Sequence, residues 1–234
     1  MNKNLTLGIL GGMGTYATIH IFEQYAEVFP AEKEWERPRL IIDNRCTMPS
    51  RVRAYLYGEN EAKLISEMTE SLRGLAALGC TRIILACNTS HLFLPKIYSH
   101  EPTLKNYVVD IIDNCVDQVC NDGIKSVYLL ASEGTIESGL YQEKLGLKGI
   151  ECTAPTKTEY AVLRECIEAV KQKKYTEDIK AKFSALINNG KACILGCTEM
   201  PILYKMYGGS IAAGRVYDPV LSVLKKLKEE YGYE

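Results

Sequence analysis

The stretch Arg82–Ser90 reads RIILACNTS, and residues 192–200 read ACILGCTEM. Each is a short aliphatic run, one small residue, a cysteine, and then polar residues of the kind that open a helix. An apolar run of four or five, punctuated in this way, reads as a strand covered on both faces, the usual state of a parallel sheet. Both stretches therefore put a cysteine, Cys87 or Cys197, at the carboxyl edge of a buried strand.

Working outward from these two strands, the same alternation continues along the chain. LTLGIL (5–10) reads as a strand, followed by glycines and a helix to about Val28. RLIID (39–43) is a second strand, followed by a loop, NRCTMPSR. Residues 59–79 carry apolar side chains three and four apart and end on a glycine, a helix signal. A helix capped by Asn88, Thr89 or Ser90 is expected after Cys87. Residues 107–123 suggest a short strand running into a helix, and SVYLLA (126–131) is a strand. Two helices span 156–175 and 176–190, and VYDPVLSVLKKLKEEYGY closes the chain as a short strand, a proline-started turn and a helix. Strands alternating with helices imply an α/β fold of doubly wound parallel sheets.

The two halves can also be laid over one another. TLGILGGMGTYAT pairs with SVYLLASEGTIES, and RIILACNTS with ACILGCTEM. This predicts two similar lobes related by a pseudo-twofold, with the active site in the cleft between them. Residues 1–103 plus 213–234 are expected in the first lobe and 104–212 in the second.

Composition narrows the function. The chain has 234 residues, 47% hydrophobic and 24% charged, with a formal net charge of -1, which gives no electrostatic reason to expect nucleic acid or an anionic membrane. No apolar stretch approaches the roughly 20 residues needed to span a bilayer. The glycine-broken start does not read as a signal peptide, so a cytoplasmic protein is expected. The nine cysteines are odd in number and contain no C-x-x-C, and the three histidines lie at no zinc-finger spacing, so neither a disulfide framework nor a metal site is expected. Cys80, Cys115, Cys166 and Cys193 sit inside apolar patterns and read as core filler.

Cys87 and Cys197 differ from that filler. Ligands of open α/β sheets bind beyond the carboxyl ends of the strands. Helix N-termini there favour a thiolate and hold carboxylates. Two thiols on opposite faces of one carbon suit stereochemical inversion: one thiolate removes a proton and the other thiol returns one to the opposite face.

The motifs GILGGMGTYAT, ACNTSH and LGCTEMPIL closely resemble those of the cofactor-independent aspartate/glutamate racemases, and the resemblance runs over essentially the whole chain. It implies a pair of α/β lobes, Cys87 and Cys197 as acid and base, no cofactor, a small amino acid as substrate and a homodimer. It further implies substrate contacts from Met13 in the glycine loop and from Asn88, Thr89 and Thr198. Glu199 would contact the ammonium, and Ser132 and Thr135 in LLASEGTIESGLY are candidates. Arg51 and Lys171 would take the side-chain carboxylate, with Arg164 as the alternative to Lys171. Many family members carry Pro-Asp-Arg where this chain has Pro49-Ser50-Arg51, which leaves aspartate, glutamate or another amino acid open.

Other readings fit less well. GILGGMG lacks the G-x-G-x-x-G spacing of a dinucleotide site, although Asp43 would supply the ribose acid; the bland reading of the loop is a tight turn with close backbone approach. No G-x-S-x-G elbow exists for a serine hydrolase. His91 reads as a packing residue or as a tuner of Cys87. A non-catalytic amino-acid sensor on the same scaffold stays open, although such a protein has no use for a matched pair of thiols.

Overall fold

In the computed structural model, which describes residues 4–208 and 214–233, the strands alternate with helices from end to end. The order is β1 (Thr6–Gly11), α1 (Thr15–Val28), β2 (Arg39–Asn44), α2 (Arg51–Tyr57), α3 (Glu61–Ala77), β3 (Arg82–Leu85), α4 (Leu94–His100) and α5 (Ile111–Asn121). It continues with β4 (Ser126–Ala131), α6 (Glu133–Glu137), α7 (Leu140–Leu147), β5 (Glu151–Thr153), α8 (Tyr160–Lys171) and α9 (Glu177–Ile187). β6 (Ala192–Gly196), α10 (Met200–Tyr207), β7 (Val216–Tyr217) and α11 (Pro219–Tyr231) complete it. The chain divides into two compact units, Met1–Ile111 with Val220–Glu234, and Ile112–Pro219. The expected boundary at 212/213 lies outside the described residues.

In the first unit the sheet order is β2-β1-β3, all parallel, and Val108 adds a single parallel bridge to Ile83 at the free side of β3. The expected short strand near 107 is therefore one bridge long. α3 packs across β1, β2 and β3. Its inward residues Leu64, Met68, Leu72 and Leu75, spaced by four, four and three, are 0–1% exposed and meet Leu10, Ile83 and Leu85 of the sheet. That stripe is what a helix needs to bury one face against a sheet.

The second unit has the order β5-β4-β6-β7, again parallel throughout. Its register repeats that of the first. Leu10 pairs with Leu85 and Leu130 with Leu195, and in each case the cysteine follows the second leucine by two residues. Ile83 bridges Val108 just as Cys193 pairs with Val216. β6 is buried along its whole length. α8 contributes Leu163, Cys166 and Val170, each at 0% exposure, and packs on α9 and α10.

Cys80, Cys115, Cys166 and Cys193 are all buried, as core filler should be. Burial pushes every one of these thiols up, Cys166 to about 11 and Cys193 to about 12, so they stay protonated and inert.

Candidate active site

In the first unit the chain leaves β1 at Gly11 and turns sharply. Gly12 has φ +78, and a Cβ there would lie 2.3 Å from the Arg45 carbonyl carbon, so only glycine fits. The turn buries Met13 at 5% exposure. Arg45 in turn is pinned to α3: its guanidinium reaches Glu67 Oε2 at 3.3 Å and Glu70 Oε2 at 2.5 Å. Thr47 Oγ1 also donates to Glu67 Oε2 at 2.6 Å. The expected loop NRCTMPSR is thus a braced segment, and it delivers Ser50 to cap α2 by accepting from the Arg53 N–H at 3.3 Å. Ser50 is thus an ordinary helix cap.

Arg51 follows at once. Its Nη2 donates to the Met13 carbonyl at 2.6 Å and its Nη1 to the Pro49 carbonyl at 3.0 Å. The buried Nε has no hydrogen-bond partner among the described residues. Two expected site residues, Met13 and Arg51, are therefore in direct contact, and a clamped guanidinium is left with an unused buried donor.

Cys87 lies just past β3, partly buried, and packs on the cluster that holds Met13, Met48 and Phe93. The helix expected immediately after it is instead a 3-10 helix, Thr89–Phe93, with α4 starting only at Leu94. Asn88 stands at its N-cap in right-handed helical backbone geometry, and its side chain makes no capping bond. The polar residues act on the cysteine's backbone: Ser90 Oγ donates to the Cys87 carbonyl at 2.6 Å, and His91 Nδ1 lies 3.1 Å from the same oxygen. A carbonyl only accepts, so Nδ1 carries the proton. Thr89, Ser90 and His91 are each 5% exposed or less, so this turn is fixed. α2 packs against it, bringing the Arg51 helix to the Cys87 turn.

In the second unit Cys197 occupies the matching place. Ala131 and Gly196 pair on neighbouring strands, so Ser132 and Cys197 leave the sheet side by side. Ser132 Oγ lies 3.2 Å from Thr135 Oγ1, and Thr135 is fully buried. Cys197 Sγ donates to Glu199 Oε2 at 3.0 Å, and Thr198 Oγ1 donates to the same oxygen at 3.5 Å. Glu199 is 3% exposed and stands at the N-cap of α10.

Lys171, at the end of α8, donates to Glu168 Oε1 at 2.8 Å. Burial works against its charge, but Glu168, Glu199 and Cys197 favour it more, so its ammonium is held above the usual lysine range. Lys171 thus belongs with Cys197 and Glu199. Its competitor Arg164 is spent elsewhere, on Glu133 Oε1 at 2.7 Å.

Sequence reading missed the structural use of Ser90, three residues after Cys87; side chains reaching back to a carbonyl at that spacing are a recognised local pattern. A cavity of about 470 Å³ lined by Phe22, Tyr25, Arg37 and Leu40 lies in the first unit, and no candidate residue lines it.

Comparison with known proteins identifies the family. Glutamate racemase of Carboxydothermus hydrogenoformans is 29% identical over 166 residues, which is 68% of this chain and 60% of that protein, so the chain spans less than two thirds of that relative. Picrophilus torridus aspartate racemase has a TM-score of 0.84 at 25% identity, covering 99% of this chain and 96% of that one. An aspartate racemase homologue from Pyrococcus horikoshii shares the fold, with a TM-score of 0.71 at 24% identity over 97% of this chain and 99% of that one. The sequence model of the Asp/Glu/Hydantoin racemase family matches residues 10–227. With that match over nearly the whole length, and a cysteine in the same register at the end of two repeated strands, the chain belongs to the Asp/Glu/Hydantoin racemase family.

Proposed function

We propose that this protein is an amino-acid racemase that interconverts the enantiomers of an acidic amino acid, aspartate first and glutamate second. The observation that carries the reading is the repeated register: Cys87 and Cys197 stand at the same strand position in two sheets of the same order, each followed by a turn of buried polar residues.

In the reaction, one cysteine as thiolate takes the α-hydrogen and the other as thiol delivers a proton to the opposite face of the same carbon. The roles reverse for the other enantiomer. Negative charge develops on the α-carboxylate as the proton leaves. Thr89 and Thr198, with backbone N–H groups of the turns that carry them, are the donors suited to hold it. Arg51 suits the side-chain carboxylate, because its buried Nε–H is an unused donor that an anion would satisfy. Lys171 adds positive charge. Ser132 and Thr135 offer hydroxyls beside Cys197. The chemistry as written uses protein groups alone. A homodimer in the cytoplasm completes the proposal; no helix among the described residues is long and apolar enough to cross a membrane.

The test is incubation of the wild type, Cys87→Ala and Cys197→Ala with L-aspartate and L-glutamate in D₂O, followed by chiral analysis and NMR of the α-position. The wild type should produce α-deuterated D-enantiomer, and each variant should lose interconversion while keeping its circular dichroism. Near-normal racemisation by either variant removes the two-base scheme. An untouched α-proton in the wild type removes racemisation altogether and leaves a binding protein.

A further inference from the structure

The turn after β6 holds a contact that proton transfer at carbon does not itself require. Cys197 Sγ lies 3.0 Å from Glu199 Oε2. A carboxylate can only accept, so this bond exists with the proton on sulfur. Ionising the thiol would leave two negative charges at that separation around a side chain only 3% exposed, where water screens little. The matching residue after Cys87 is Thr89, which carries no charge.

Among the described residues, a cation of α8 opposes this. The Lys171 ammonium of α8 is favoured by Glu199 and by Cys197, and such interactions are reciprocal, so it favours the thiolate in turn. It is weakened twice over, because Glu168 engages it at 2.8 Å and its side chain is 38% exposed to water. The carboxylate hydrogen-bonds the sulfur directly and is better buried, so it prevails.

We propose that Glu199 is a positioning residue that holds Cys197 as the thiol in the resting protein, so that Cys197 is the proton donor for the enantiomer whose α-hydrogen faces Cys87. The second half rests on the two-cysteine reading above; the first does not.

Alkylation separates them, because it needs no turnover. Iodoacetamide is applied across pH 6–10 to the full chain, and the Cys197 peptide is followed by mass spectrometry. Glu199→Gln keeps the shape and removes the charge. Cys197 alkylation at pH 7 should rise about tenfold, the size of a charge-assisted hydrogen bond, and its midpoint should fall by about one pH unit. Lys171→Met should move the midpoint the other way. An unchanged midpoint in a folded Glu199→Gln variant overturns the proposal. A second readout needs no variant: the native Cys197 midpoint should lie above that of the urea-denatured chain, and a native midpoint at or below it also overturns the proposal. Shifted alkylation with no racemisation would sink the catalytic reading and leave this one standing.

Discussion

Replacing Arg51 with lysine keeps a positive charge and removes the fork. The guanidinium carries five N–H donors in a rigid plane, whereas a lysine ammonium carries three on a swinging stem. In the structure two of the five are committed, to the carbonyls of Met13 at 2.6 Å and Pro49 at 3.0 Å, and Nε is buried and unused. Lysine cannot reach both carbonyls and still present a planar pair to a ligand. Two separable effects follow. Hydrogen bonds to a charged group contribute about 1.5–3 kcal/mol. Arg51 is only part-buried, so water replaces some of what is lost, and a stability loss of about 1–2 kcal/mol in urea unfolding is expected.

The ligand effect is read by melting with succinate against butyrate, two four-carbon acids that differ by one carboxylate. At a hundredfold excess over its dissociation constant, succinate adds about 2.7 kcal/mol to the wild type. For a chain of this size that raises the melting temperature by roughly 5–10 °C. Loss of the fork weakens binding about 10- to 100-fold. The same succinate concentration should then raise the variant by only roughly 1–6 °C. Butyrate should act weakly and alike on both. If succinate shifts both proteins equally, or if both acids lose ground equally, Arg51 does not read the second carboxylate.

Two further outcomes follow from the segment that carries Arg51. Gly12→Ala should cost about 3 kcal/mol or more in urea unfolding, because it combines a left-handed backbone with a Cβ 2.3 Å from the Arg45 backbone; Gly58→Ala, at φ +69 with nothing within 4 Å, should cost only about 1–2 kcal/mol. Equal costs would show that the Arg45 contact carries no weight. The second outcome concerns acid. The Thr47 hydroxyl, aided by Arg45 and Lys63, holds the Glu67 carboxyl below its usual range. A lowered folded value means that this stabilisation is complete above the ordinary glutamate value of about 4.3 and disappears as pH falls through the folded one. The urea midpoint should therefore drop less between pH 7 and pH 3 in Glu67→Gln than in the wild type, and an equal drop refutes the linkage.

β1, β3, β4 and β6 were legible because a strand covered on both faces has to be apolar throughout, and the chain shows four such runs. β5 was not, since ECT is an edge strand of three residues with an exposed glutamate. α2 went unread for a similar reason: RVRAYLY buries only Ala54, so no apolar stripe announces a helix. α7 buries Tyr141 and Leu145 alone, too little for a periodic signal. In the site, the cysteines could be found because they end apolar runs. The hold of Arg51 on Met13 could not, because it joins residues 38 apart through a turn whose shape depends on Gly12 meeting Arg45.

What the two halves repeat is backbone, and what they vary is the turn. Parallel pairing fixes where β3 and β6 stop, so each cysteine inherits its place from a register that its own side chain does nothing to set. The residues just beyond are under no such constraint. After Cys87 they are Asn88, Thr89, Ser90 and His91, and the last two bond the cysteine's carbonyl. After Cys197 they are Thr198 and Glu199, and the carboxylate takes the thiol itself. A duplicated scaffold therefore offers two thiols at one strand register in unequal electrostatic surroundings, and in the two-cysteine reaction proposed above that inequality would set which thiol rests as the acid.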